Sequence, residues 1–347
     1  MGIKKKIYPF YRALARHSLT AHALAGARSL VEHPNYEQSF RGWLTEEQRR
    51  DKQYMRRVRR DIAYCAVRHE TNAEEYFRYK FEFLNDKGRH EYVGVKEMLR
   101  RFNQLDSPER MNLTDKSLAY EMFKEYYRRE QIEILSDEDL PVFLDYLTRH
   151  RTAIVKPLDS CGGNGVCRID VAEGEEESAF RAIRAKGGCV IEEMIRQAPE
   201  MAKFHPGSVN TIRVVTCNRG GEISIVQTSV RMGMGDSFVD NGCLSSAVDT
   251  ETGIITSMGR KAHGNGLYVI HPDTGEQILG ARIPKWDELL AFARKLPEKL
   301  PNQRIIGWDL ALAEDGWMMI EGNSHPHIQI LAGNGVGVRD LYEDMVR

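Results

Sequence analysis

Residues 307–323 read Gly-Trp-Asp-Leu-Ala-Leu-Ala-Glu-Asp-Gly-Trp-Met-Met-Ile-Glu-Gly-Asn, and they constrain the chain more than any other segment. Two apolar runs flank Glu314-Asp315-Gly316, so the segment reads as a β-hairpin, with Gly316 suited to the left-handed position of a three-residue loop. Pairing Ala313 with Trp317 sets Asp309 directly opposite Glu321. Side chains alternate along a strand, so Asn323 shares the face of Glu321. Two carboxylates facing each other across a strand pair repel. A divalent cation turns that repulsion into binding, and two carboxylates plus an amide oxygen form a hard donor set suited to Mg²⁺ carrying phosphates. Asp309, Glu321 and Asn323 are therefore candidate metal ligands, the alternative being a surface hairpin with two solvated acids.

Upstream segments could serve the same chemistry. Thr152–Pro157 reads as a short strand ending near Lys156, followed by a loop containing Asp159, Ser160, Gly162, Gly163 and Gly165 and then by a second strand, 166–171. Glycine lets backbone N–H groups approach phosphate oxygens, and lysine adds charge. The lysine precedes the glycines and a strand follows them, which is neither a Walker loop nor a Rossmann turn. A flap that folds over a nucleotide has this order, as does an ordinary glycine hairpin. Residues 188–195 form an apolar strand ending in Glu192, Glu193, Met194 and Ile195, which could be an adenine slot or a core strand reaching solvent. Arg213 lies among apolar neighbours on a predicted strand over 211–216. A buried guanidinium needs a partner, either a phosphate or carboxylate ligand or a structural ion pair.

Residues 1–105 read mainly as helices, with capping boxes at Thr45/Gln48 and Thr71/Glu74. Further helices start at Ser107-Pro108, at Thr114-Asp115-Lys116 and at Ser136. The net charge of −1 hides an asymmetry: residues 1–60 hold 14 Lys and Arg against 5 Asp and Glu, the remainder 35 against 45. A basic head can meet an anionic partner or pair with the acidic body. Nucleic acid is not an expected partner. Six scattered cysteines without a Cys-x-x-Cys pair suit free thiols in a reducing cytoplasm, and no run approaches the length of a membrane helix. Irregularly mixed strands and helices suggest an α+β chain.

Taken together, Asp115-Lys116, Ile154-Val155-Lys156-Pro157, the glycine loop, Val190-Ile191-Glu192-Glu193, and Asp309 with Glu321-Gly322-Asn323 resemble the ATP-grasp superfamily over roughly residues 90–347. His205–Thr216 and the Glu75–Tyr79 region are similar to its sugar-transferase-associated branch. The resemblance implies two α+β subdomains enclosing ATP: a helical, basic region 1–105, a helical lead-in 106–150, a lid 151–198 and a metal-bearing part 199–347. It implies that Lys116 and Lys156 contact phosphates beneath residues 159–165, that 192–195 line adenine, and that Gln197 or Glu200 meets ribose. Asp309, Glu321 and Asn323 would hold one or two Mg²⁺, with Lys156 and Arg213 as catalytic groups. Ser208, Asn210, Asn241, His325 and His327 are candidate substrate contacts, the two histidines otherwise bases or bystanders. The implied reaction is ATP-dependent joining of a small-molecule carboxylate to an amine through an acyl phosphate. A kinase on the same scaffold, or a catalytically silent nucleotide-binding module, are the alternatives.

Overall fold

The computed structural model describes residues 14–32, 36–158, 165–238, 244–328 and 335–347; Asp159, Ser160, Gly162, Gly163 and Asn241 lie outside these. The chain divides into two compact units. One comprises Met1–Leu105, Ser257–Val269 and His327–Arg347, the other Asp106–Thr256 and Ile270–Pro326.

The first unit is mainly helical. Thr45 and Gln48 form the expected capping box, whereas the second box sits one residue later than expected, on Asn72 and Glu75. Glu75 is the residue whose carboxylate can reach back to the Asn72 N–H, and it also accepts from Val95 N–H at 2.6 Å. The core is aromatic: Tyr76, Tyr79, Phe81 and Phe102 are almost wholly buried. Inside it, Arg89 forms a two-pronged ion pair with Asp61, at 2.8 and 2.7 Å, while Tyr76 O–H also donates to Asp61. Two short strands, β8 (Gly259–Lys261) and β9 (Leu267–Tyr268), close a hairpin in this unit.

In the second unit, a four-stranded antiparallel sheet is formed by β1 (Gln131–Ile134), β2 (Thr152–Pro157), β3 (Cys167–Asp170) and β4 (Cys189–Glu193), in the order β1-β4-β2-β3. One face is apolar, so the helices Leu140–Leu147 and Glu176–Arg184 cover it with Phe143, Tyr146, Phe180 and Ile183 against Ala153, Val155 and Ile191. Period-two alternation sends Ile154, Lys156 and Glu192 to the opposite face.

A second antiparallel sheet runs β11-β10-β5-β6-β7, with β5 (Thr211–Arg219), β6 (Glu222–Met232), β7 (Leu244–Val248), β10 (Ile305–Ala313) and β11 (Gly316–Asn323). On one face Trp308 packs edge-on to Phe123 of the helix Lys116–Tyr127, and its indole N–H donates to Thr216 at 2.9 Å. Asp309 is on the other face. The helix is capped by Asp115, which accepts from the N–H groups of Ser117 and Leu118. With its helices and antiparallel sheets, the chain is an α+β protein.

The four described cysteines, 65, 167, 189 and 217, are free thiols. Among the described residues no helix is long and apolar enough to cross a membrane.

Candidate active site

The β10–β11 hairpin places Asp309 opposite Glu321, as its sequence predicts, but by a different route. Ala313 pairs with Gly316, so the turn is the two-residue Glu314-Asp315, and Gly316, at φ 122°, is the first residue of β11. That tighter turn alone would put Asp309 opposite Ile320. The register slips between Asp309 and Leu310, where an extra residue, Ile320, bulges from β11 and restores the Asp309–Glu321 pairing.

An arginine pair missed in the sequence fixes both irregularities. Arg128, left-handed at φ 51°, ends the helix Lys116–Tyr127 and turns the chain. Its guanidinium pairs with the Asp315 carboxylate and donates to the Trp317 carbonyl at 3.3 Å, which clamps the turn. Arg129 points the other way and donates to the carbonyl of Met319 at 2.6 Å, beside the bulge. It also donates Nε and Nη2 to Glu192 Oε2, at 2.9 and 2.7 Å. Lys156 Nζ reaches the same carboxylate at 2.8 Å. Glu192 therefore sits between two cations and links the smaller sheet to the hairpin. Burial works against its charge, but Arg129 and then Lys156 outweigh that cost and hold its carboxyl down at about 2.

Asp309 is equally committed. It is 3 % exposed and pairs with Arg213 through Oδ1 and Oδ2, the latter at 2.7 Å, and with Arg231 Nη1 at 3.0 Å. Burial again opposes the charge, and Arg213 and then Arg231 overcome it, so the carboxyl lies below the usual range. Glu321 reaches solvent, yet protein crowds around it, and that surrounding together with the Asp309 carboxylate opposite raises its pKa. Lys156 acts on Glu321 in the opposite sense, so its charge is felt at the hairpin. Asn323 Nδ2 donates to Glu321 Oε1 at 3.1 Å.

Does this set fit a divalent cation? Among the described residues no three His, Cys, Asp or Glu side chains converge as a metal site. Asp309, Glu321 and Asn323 instead offer two carboxylates and an amide. A carboxylate has about four lone-pair directions. Arginines fill three on Asp309, whose carboxylate also meets that of Glu321, and Glu321 spends one on Asn323. The raised pKa of Glu321 marks an unbalanced negative charge. These residues fit a hard cation bound by oxygen.

Other expected site residues have more structural roles. Lys116 Nζ donates to the Leu158 carbonyl at 3.1 Å, at the root of the glycine loop. Gly165, the last residue of the loop, has φ 74°. Glu193 accepts the Glu130 N–H at 3.2 Å, Met194 is half-buried, and Ile195 packs on Ala311, Ala313 and Met318. Gln197 spends both ends of its amide on Asn210, while Glu200 is exposed on a short helix. Asn210 is fully buried. Its Nδ2 donates to Gln197 and to the carbonyls of Met201 and His205, and its Oδ1 accepts from Gly233, so it braces backbone and has no free face for a substrate. Ser208 Oγ lies 2.9 Å from His205 Nδ1. His325 Nε2 lies 2.9 Å from Asp106, and His327 is exposed in the other unit.

Arg231 was also missed, although its place in Ser-Val-Arg-Met repeats the signal that exposed Arg213: a charge on an apolar strand. The side chains of Gln227 and Ser229, on the same face of β6 as Arg231, are buried and have no hydrogen-bond partner among the described residues.

A model of the family described as sugar-transfer associated ATP-grasp matches residues 126–345, and the chain belongs to that family. A search of curated proteins returned no match. Solved structures to which the chain is similar include an ADP complex of N5-carboxyaminoimidazole ribonucleotide synthetase, at 11 % identity and TM-score 0.44 over 73 % of this chain and 59 % of that one. D-alanyl-alanine synthetase A from Vibrio cholerae is similar at 11 % identity and TM-score 0.42, over 68 % of this chain and 64 % of that one. The ATP-grasp ligase PsnB with a minimal precursor follows at 12 % identity and TM-score 0.41, over 73 % and 68 %. The chain thus spans less than two thirds of the length of the first two.

Proposed function

We propose that this protein is an ATP-dependent ligase that joins a carboxylate to an amine, or a similar nucleophile, through an acyl phosphate. The observation that carries this reading is the pairing of Asp309 with Glu321, with Asn323 beside them and Arg213, Arg231 and Lys156 around them. Phosphoryl transfer asks a protein mainly for positioning and charge neutralisation, and this cluster supplies groups for both.

Asp309, Glu321 and Asn323 would hold Mg²⁺, which would supply positive charge to offset that of the phosphates. Lys156 and Lys116 would face the phosphate tail, with the 159–165 loop above it, and residues 192–195 would line the base. Because the Gln197 amide is committed to Asn210, Glu200 is the better ribose partner. In the first step a carboxylate oxygen attacks the γ-phosphorus and ADP leaves. In the second the nucleophile attacks the acyl carbon, phosphate leaves, and the nucleophile gives up a proton. Arg213 keeps Nη1 beyond its contacts with Asp309 and would stabilise the transferred group and the tetrahedral intermediate. A closed loop would keep water from the acyl phosphate. Residues 151–198 would act as the lid and 199–347 as the metal-bearing part. A reducing cytoplasm suits the free thiols.

The test is an ADP-release screen over amino acids, sugar acids and amines with Mg²⁺, followed by hydroxylamine trapping. An acyl hydroxamate formed with ADP supports the ligase. A stable phosphorylated product with no hydroxamate refutes it in favour of a kinase.

A further inference from the structure

Arg260 on β8 is 6 % exposed, and among the described residues no carboxylate pairs with it. Its buried Nε has no hydrogen-bond partner among the described residues, and the charge that acts on it there is another cation, Arg78. Buried charges are normally paired, because an isolated one loses its hydration and gains nothing in return. Burial, and then Arg78, lower the Arg260 pKa to about 10, which still leaves it charged at neutral pH.

The surroundings are rich in donors. Arg78, at the end of the helix Ala73–Arg78, donates to the carbonyl of Ala262, two residues beyond Arg260, and lies 3.5 Å from Glu74. Glu74 is partly used elsewhere, accepting the Gly264 N–H at 3.2 Å. The same β8–β9 loop adjoins residue 42, since Asn265 N–H donates to the Gly42 carbonyl at 3.1 Å. Next to Gly42, Trp43 stacks on Phe77, the neighbour of Arg78, at 6.1 Å, and its buried indole nitrogen also has no partner among the described residues. Indole N–H and guanidinium are donors only. Lys261 ends β8 and His263 lies within the loop. This part of the first unit thus holds two guanidiniums and an unused indole donor, and its one carboxylate, Glu74, lies beside Arg78.

We propose that Arg260, with Arg78 and the Trp43 indole at the same corner, forms a binding site for an oxyanion: the carboxylate or phosphate group of a ligand that the chain does not itself supply. A guanidinium fork matches either group with two parallel hydrogen bonds. The ligand's charge would balance the Arg260–Arg78 pair and take up donors the fold leaves open. This inference is independent of the ATP reading.

The experiment uses the full chain. Thermal unfolding is followed in inorganic phosphate and, separately, in malonate, each against chloride at equal ionic strength, for wild type, R260M, R78M and K156M. K156M controls for anions binding where a nucleotide's phosphates would lie. The expected result is a rise of several degrees with at least one anion in wild type and in K156M, with R260M and R78M needing at least tenfold more anion for the same rise. A rise with phosphate alone assigns the site to phosphate groups, and one with malonate alone to carboxylates. In chloride, R260M should be at least as stable as wild type, because an apolar side chain of similar length replaces an unbalanced buried charge. If R260M does not fold, R78M carries the comparison. Equal shifts in wild type and the arginine variants, or no shift beyond chloride with either anion, overturn the proposal.

Discussion

Replacing Glu192 with Gln tests the buried charge triad that ties the smaller sheet to the hairpin. Glu192 is fully enclosed, with Arg129 2 % exposed on one side and Lys156 19 % exposed on the other. Its carboxyl falls from 4.5 to about 2 on folding. That fall is worth about 3–4 kcal/mol at neutral pH. The figure agrees with the ~3–5 kcal/mol lost when one partner of a buried pair is removed. For a unit of this size, about 3 kcal/mol lowers Tm by roughly 6–12 °C. A group whose folded pKa is depressed contributes stability that is fully present above its unfolded pKa and is lost as pH falls through the folded one. The E192Q deficit should therefore be constant from pH 8 to pH 6 and shrink as pH falls from 4.5 towards 2. R129M should cost at least as much, and K156M less, because the lysine can reach water. Urea unfolding at pH 7 and pH 3 measures all three. A loss below about 1 kcal/mol at pH 7, or equal deficits at both pH values, would refute the account.

Glu321→Gln should behave in the opposite way. Its raised pKa means that ionising it opposes folding as pH rises, so calorimetry should show Tm unchanged or higher at pH 7, while MgATP turnover falls by ~10²-fold or more; a drop in Tm as large as that of E192Q would contradict this. Burial lowers the His69 pKa from 6.5 to about 4, despite Asp86 at 3.3 Å. The unfolded chain takes up that proton first, so about 3 kcal/mol is lost between pH 6.5 and pH 4, and H69Q should flatten this slope in thermal unfolding; an unchanged slope would rule out His69 as its source. A Cβ on Gly322 would stand 2.6 Å from Leu113 Cδ2 and 3.0 Å from the Trp308 ring. G322A should cost ~1–3 kcal/mol by overpacking, L113A should recover part of it, and additive losses in the double variant would show that the two do not share this space.

What the sequence determined about this protein was local and periodic. Strands β2, β4, β10 and β11 were legible because strand side chains alternate with period two, and the same rule put Asn323 on the face of Glu321, whereas the pairing of Asp309 with Glu321 was expected from a three-residue turn that the chain does not make. Helix starts at Thr45, Asp115 and Ser136 were legible because a cap bonds only to residues two or three further on. Tertiary structure decided the partners. Arg129 and Glu192 are 63 positions apart, Arg213 and Asp309 are 96 apart, and no local rule links such pairs. It also decided the bulge at Ile320, because a two-residue turn fixes a register that only an inserted residue corrects. Short strands such as β1, β8 and β9 escaped the reading because their pairing depends on distant neighbours and their own few residues carry little pattern. The carboxylates could be read along the chain, but the guanidiniums that hold them in place were brought there by folding.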